Sequence, residues 1–217
     1  MREMHGKSVP IFPGTTRKND AVFLFGAVQK KPFVKIYEQN TTEVVCGPSC
    51  RPEKEVNVKQ CAADAVPVVE RRGGGGTVVL SKGMVVCIIV GKRSSGLTAT
   101  DYFNVIHDLI IKLLSPYCPV KIERCGISDL ACNGRKILGS SLYMGTRPDL
   151  YYYQSSLLVN PELALFDKYL FHPPREPKYR QHRGHTAFCT TLAEQGCTLE
   201  AGEVVKLLYG GLKMYLV

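Results

Sequence analysis

Residues 68–90 read VVERRGGGGTVVLSKGMVVCIIV, and this stretch decides the class of the fold. β-Branched and apolar runs stand on both sides of four consecutive glycines, a composition that favours strands over helices. A strand over 65–69 is expected to deliver the chain into Gly73–Gly76. Two more over 77–80 and 84–90, separated by Ser81, Lys82 and Gly83, are expected to form a hairpin. No helix follows the glycines and no Gly-Lys-Ser/Thr closes them, which excludes a dinucleotide fingerprint and a Walker loop.

Upstream, the apolar residues within 20–29 fit either a short helix or a buried strand, because periodicity does not separate the two over so short a run. Residues 33–37 alternate as a strand that pairs with a second over 43–45. Residues 51–59 read as a loop and short helix. Downstream, Thr100 is a plausible N-cap for a helix whose apolar residues Phe103, Ile106, Ile110 and Leu113 recur at helical spacing before Pro116 ends it. Residues 120–123 and 129–132 read as strands, Asn133-Gly134 is a tight-turn pair, and Ile137 resumes the sheet. A strand over 157–159, a short helix over 161–167 and a helical tail over 199–208 complete the pattern. Pro173, Pro174 and Pro177 impose an irregular, mobile connection between them. Hairpins mixed with helices predict an α/β (α+β) fold with a mixed, largely antiparallel sheet flanked by helices.

The 217 residues are 45% hydrophobic and 22% charged, enough for one substantial core, and a single domain over 1–217 is expected. There is no apolar run of membrane-spanning length, and residues 1–10 are polar and charged, so a cytoplasmic protein is expected. Nine cysteines are spread along the chain without a C-x-x-C pair, which favours free thiols over a disulfide framework and assigns no metal. The formal charge of +9 steers anionic partners but does not identify one. No nucleic-acid module accompanies it, and no nucleic-acid or membrane partner is assigned.

Two segments carry candidate chemistry. In Glu70-Arg71-Arg72-Gly73-Gly74-Gly75-Gly76-Thr77, main-chain N–H groups free of side chains, beside two arginines, suit a phosphate or carboxylate. In the second, residues 125–141, CGISDLACNGRKILGSS, Lys136 follows the Asn-Gly turn and small residues come after it. Together, in this order, the two resemble the lipoate-protein ligase and octanoyltransferase family. Its pattern is an Arg-Arg-x-Ser-Gly-Gly-Gly loop, then an Asn-Asp-Leu strand, a Gly-Arg-Lys turn and a Gly-Ser-Ala stretch. Val45-Cys46-Gly47, residues 52–57 (PEKEVN) and Gln154–Asn160 resemble further family segments, so the likeness runs from about Asn19 to Asn160.

The resemblance implies a biotin/lipoate ligase catalytic-domain fold without the accessory domain of the long ligases. It implies attachment of a lipoyl or octanoyl group to a lysine of an acidic lipoyl carrier domain or a glycine-cleavage H-like protein. In the ligase route, ATP and Mg2+ serve an acyl-adenylate, with lipoate or octanoate as substrate. Lys136 falls on the catalytic lysine, whose fixed cation would stabilise charge developing at the reacting oxygens. Gly74, Gly75 and Gly76, with Arg71 or Arg72, fall on the loop over the acyl phosphate. Asp129 falls on the strand aspartate, and Gly139-Ser140 on the small pair beside the acyl tunnel. The family's His-Asp after the loop is Leu80-Ser81 here, and its strand histidine is Gln154. Cys125 precedes Asp129-Leu130 much as the nucleophile does in an amidotransferase branch, which leaves open a transferase working through a Cys125 acyl-thioester. A noncatalytic homologue that binds acyl chain or carrier also stays open. The basic stretch 175–185 is read as a loop that meets the carrier.

Overall fold

In a computed structural model that describes residues 17–147 and 149–216, the first element of the described residues is helix α1 (Asp20–Ala27). The chain continues through strands β1 (Phe33–Glu38) and β2 (Glu43–Cys46), short helices α2 (Pro52–Glu55) and α3 (Val58–Ala63), and strands β3 (Val68–Glu70), β4 (Val78–Leu80) and β5 (Met84–Lys92). Helix α4 (Ala99–Leu114) leads into β6 (Ile122–Cys125), β7 (Asp129–Cys132), β8 (Arg135–Thr146) and β9 (Asp149–Leu158). Helices α5 (Ala164–Tyr169), α6 (His185–Phe188) and α7 (Ala201–Leu216) close the order. The polar segment 1–10 lies outside the described residues.

The strands form a six-stranded sheet in the order β1-β5-β9-β8-β7-β6 and a three-stranded sheet in the order β3-β2-β4. All pairs are antiparallel except β2 with β3. The mixed, largely antiparallel architecture is the one the sequence predicts. Successive side chains of β5 point to opposite faces, and both faces are covered. Val85, Cys87 and Ile89 pack with Ile106, Ile110 and Leu114 of α4 and Val204, Leu208 and Leu212 of α7. Met84, Val86, Ile88 and Val90 pack with Phe23 of α1, Val44 and Val45 of β2 and Val79 and Leu80 of β4. Each fully buried aliphatic side chain contributes about 1.5–3 kcal/mol, so β5 is the seam that joins two cores.

Several expectations change. The strands over 33–37 and 43–45 do not pair: β1 lies on β5 and β2 lies between β3 and β4. Nor do β4 and β5 form a hairpin. The turn at Gly83 (φ 85°) carries the chain from the small sheet to the large one. The reason is length and burial: β5 needs a long partner on each edge, which β1 and β9 supply and a three-residue β4 does not. The strand expected over 65–69 begins at Val68, and β6 runs two residues beyond the expected end. The N-cap of α4 is Thr98, not Thr100, because Thr98 and Asp101 form a reciprocal capping box. Strands β8 and β9 extend far beyond Ile137 and residues 157–159 and pair along nearly their whole length. Segment 20–29 resolves as helix, and α7 reaches Leu216. All nine cysteines are free, and no helix among the described residues is long and apolar enough to cross a membrane.

Candidate active site

A cavity of about 890 Å³ opens between the small sheet and the β7–β8 end of the large one. Its wall carries Gly75, Gly76 and Thr77 of the glycine loop, and Asp129, Lys136, Gly139 and Ser140 from β7 and β8. The two sequence segments therefore meet at one space. Six basic residues line it, Lys18, Arg71, Lys136, Arg175, Lys178 and Arg180, against the acids Asp129 and Glu176. Val45, Val78, Leu80 and Val86 give it an apolar floor.

The glycine loop is folded around its own arginine. Arg71 is buried, and its guanidinium donates to the carbonyls of Gly74 at 2.9 Å, Gly76 at 2.8 Å and Val45 at 3.2 Å. The loop in turn presses on its neighbours: a Cβ on Gly47 would lie 2.2 Å from the Gly75 carbonyl oxygen. Burial lowers Arg71 to about 10, still charged at neutral pH. Its Nε has no partner although it is buried, an unsatisfied donor beside the cavity. Thr77 anchors the far end of the loop by donating from Oγ1 to Glu55 Oε2 at 2.7 Å.

Lys136 and Asp129 are brought together by the β7–β8 turn, where Asn133 (φ 49°) and Gly134 (φ 68°) both take the left-handed conformation that tight hairpins require. Lys136 Nζ lies 2.8 Å from Asp129 Oδ1. Tyr179 donates from its hydroxyl to Asp129 Oδ2 at 2.8 Å, and burial together with that carboxylate pushes the Tyr179 hydroxyl well above the ordinary phenol range. Asp129 thus holds one cation and one proton donor at once.

Ser140 joins this wall to the helical layer. Its N–H and hydroxyl both donate to the Ser128 carbonyl at 2.8 Å, which leaves Oγ to accept from His107 Nε2 at 3.0 Å. His107 is buried on α4, and burial lowers it to about 4, so it is neutral. Gln154 donates to the Tyr152 hydroxyl at 2.6 Å, while its Oε1 and the Ser155 hydroxyl, both on the cavity wall, have no partner.

Some expected residues stand elsewhere. Arg72 is bound to α1, pairing with Asp20 at 2.6 Å and lying over the Phe23 ring at 4.2 Å, away from the cavity lining. Between the two arginines, only Arg71 faces the cavity. Gly74 contributes its carbonyl to Arg71 without lining the space. Cys125 is also outside the lining, and burial with Glu123 and Asp129 nearby raises its thiol, the opposite of what a thiolate nucleophile needs.

For other lining residues the sequence assigns no place in the cavity. The proline-rich segment contributes Arg175, Glu176, Lys178, Tyr179 and Arg180 to the cavity wall, where a mobile carrier-docking loop is expected. Arg180 is buried, lies over Phe188 at 4.9 Å and leaves Nη2 unpartnered. The basic cluster was visible in the sequence, but its position was not.

A family model, the lipoyl protein ligase A/B catalytic domain, matches residues 22–213. The chain belongs to that family. No curated protein matches this lipoyl ligase family member in sequence. Among solved structures it is similar to a bi-partite lipoate protein ligase from Thermoplasma acidophilum, described with its E2 lipoyl domain. The TM-score is 0.76 at 18% identity, over 91% of this chain and 76% of that one. It is similar also to the putative lipoate protein ligase Ta0514 of T. acidophilum with bound lipoic acid (TM-score 0.73, 17% identity, 91% and 78% covered). A lipoate-protein ligase A bound with ATP gives 0.73 at 18% identity, again over 91% and 78%. At these identities the likeness carries the fold: this family member has the architecture of lipoate-protein ligases.

Proposed function

We propose that the chain attaches a lipoyl or octanoyl group to a lysine of a lipoyl carrier domain by ATP-dependent ligation through an acyl-adenylate. The observation that carries this reading is the convergence of the Arg71-braced glycine loop and the Lys136 ammonium on one basic cavity with an apolar floor. The acyl chain would lie against Val45, Val78, Leu80 and Val86, and the phosphates against the loop and the guanidinium groups of Arg71 and Arg180 that line the cavity.

In the first step a carboxylate oxygen of the acid attacks the α-phosphorus of ATP, and pyrophosphate leaves. In the second the carrier amine attacks the acyl carbonyl, AMP leaves, and the amine loses its proton. Both steps build negative charge on oxygens at the junction of acyl and phosphate groups. A cation held in place by Asp129 stabilises that charge without reorganising, which is the role given to Lys136. Mg2+ would arrive with ATP. The carboxylates on the cavity wall are already engaged, Asp129 by Lys136 and Tyr179, and Glu176 by His172 and His182, so the ion would rest mainly on phosphate and water.

The carrier would approach over the exposed Arg175 and Lys178, whose charge suits an acidic domain. The solved relatives described with an E2 lipoyl domain, with lipoic acid and with ATP agree with these choices. The position and raised pKa of Cys125 weigh against the thioester route.

Incubation of the chain with ATP, lipoate or octanoate and a lipoyl domain, read by intact mass, tests the reading. ATP-dependent gain of one acyl group on the carrier supports it. Acylation from an octanoylated carrier without ATP would replace it with a transferase. Ligand-induced thermal stabilisation with no acylation in either assay would leave a binding homologue.

A further inference from the structure

Glu176 stands between two imidazoles that ligation does not use. His172 Nε2 lies 3.1 Å from its Oε2 and His182 Nδ1 lies 2.9 Å from its Oε1. One donor atom from each of the three residues falls within 4.8 Å of the others. The backbone goes to some length to arrange this. Gln181 (φ 52°) and His182 (φ 58°) are consecutive non-glycine residues in the left-handed region, which L side chains adopt only at a cost. That bend turns His182 back over Glu176, whose Oε1 also accepts from the His182 N–H at 2.9 Å.

The two histidines bracket the segment that forms one wall of the cavity, from Pro173 to Arg180. We propose that His172, Glu176 and His182 bind a borderline first-row dication such as Zn2+, and that the ion staples the two ends of this wall together. Two imidazole nitrogens and one carboxylate oxygen form the N/O set such ions take, with a fourth position open to water. A tetrahedral ion with bonds of about 2.0–2.1 Å needs ligand atoms roughly 3.3 Å apart. Here each nitrogen lies close to a different oxygen of the carboxylate, 3.1 Å for His172 to Oε2 and 2.9 Å for His182 to Oε1, and one donor atom from each residue falls within 4.8 Å of the others, so exposed side chains need only draw in around the ion. His172 Nε2 already faces the carboxylate in a hydrogen bond, and an ion would take the place of that proton, while His182 Nδ1, in close contact without an aligned hydrogen bond, would turn to meet it.

Arg180 Nε lies 3.5 Å from Glu176 Oε2, and its charge lowers the attraction for a dication. It stays tied to the Arg183 carbonyl at 2.9 Å, so the carboxylate remains available. Mg2+, which prefers an all-oxygen octahedron, would not compete for this set.

The test uses untagged, chelator-treated full chain under reducing conditions, titrated with Zn2+ by calorimetry and with Co2+ by visible absorption. A single ion is expected per chain, with His172→Ala and His182→Ala each weakening binding roughly tenfold or more, since each removes a ligand. His182 is largely exposed and His172 about half exposed, so the variants are expected to fold, and thermal melts check this. Bound Zn2+ should slow tryptic cleavage after Arg175, Lys178 and Arg180 in the unmodified chain and not in the double variant. Absence of binding, wild-type affinity in the double variant, or a Co2+ spectrum dominated by thiolate charge transfer would overturn the site. Binding with unchanged cleavage would overturn the staple.

Discussion

Lys136 lies across Gly139 so closely that a Cβ on residue 139 would stand 2.7 Å from Nζ and 2.8 Å from Cε. The obstructing atoms belong to the free end of a flexible side chain, not to backbone, so the fold can absorb a methyl group while the ammonium cannot keep its place. Gly139→Ala is therefore expected to lower kcat for carrier acylation by an order of magnitude or more, as a misplaced electrostatic group does. Its urea stability should stay within about 1 kcal/mol of the parent. An unchanged kcat would mean that the position of Nζ does not matter.

Lys136→Ala removes that cation and is expected to abolish acylation by either route, whereas Cys125→Ser should retain it. Intact mass of the protein after incubation with octanoylated carrier should show no acyl adduct on Cys125, whose thiol is raised by burial and by Glu123 and Asp129. An adduct that disappears in the serine variant would reinstate the thioester.

The neighbouring arginines should behave differently. Arg71→Ala leaves three carbonyls, two in the loop and one on β2, without their buried donor and is expected to cost about 2–4 kcal/mol in urea unfolding, together with activity. Arg71→Lys should not rescue it, because a single ammonium does not reproduce the planar fork. Arg72→Ala loses a partly exposed pair with Asp20 and a ring contact with Phe23, about 1 kcal/mol in total, with acylation largely kept.

His107 supplies a pH dependence. Burial lowers it from 6.5 to about 4, so on acidification the unfolded chain takes up this proton before the folded one. Its contribution is complete above pH 6.5 and is lost as pH falls from there toward 4, by about 3 kcal/mol. His107→Gln, which can still donate to Ser140, should show a shallower loss of urea stability over that window. An identical slope would place the dependence on other groups.

How much of this was legible in the sequence varied with how local the cause was. Strand β7 and the Asn133-Gly134 turn could be read because turn chemistry and alternation act within a few residues. Helix α4 was clear from its period, yet its cap was misplaced by two residues because Thr98 and Thr100 are both capping types and the reciprocal bond to Asp101 decides between them. The β8–β9 pair was mostly hidden. Its run of serines, glycines and tyrosines becomes sheet through cross-strand partners such as Leu142 with Tyr153 and Tyr143 with Tyr152. At the site, Lys136 and the glycines stood out by type and order. The bond from Tyr179 to Asp129 spans fifty residues, and a proline-rich segment has no period that could announce where it docks.

A loop of four glycines is ordinarily the most freely moving part of a chain, and freezing it on contact with a ligand costs about 1–2 kcal/mol per residue. Here the guanidinium beneath it has already fixed its shape when the small sheet forms. An anion bound there, as proposed, would be captured without that entropic penalty, and the grip on it should persist with rising temperature until the small sheet itself melts.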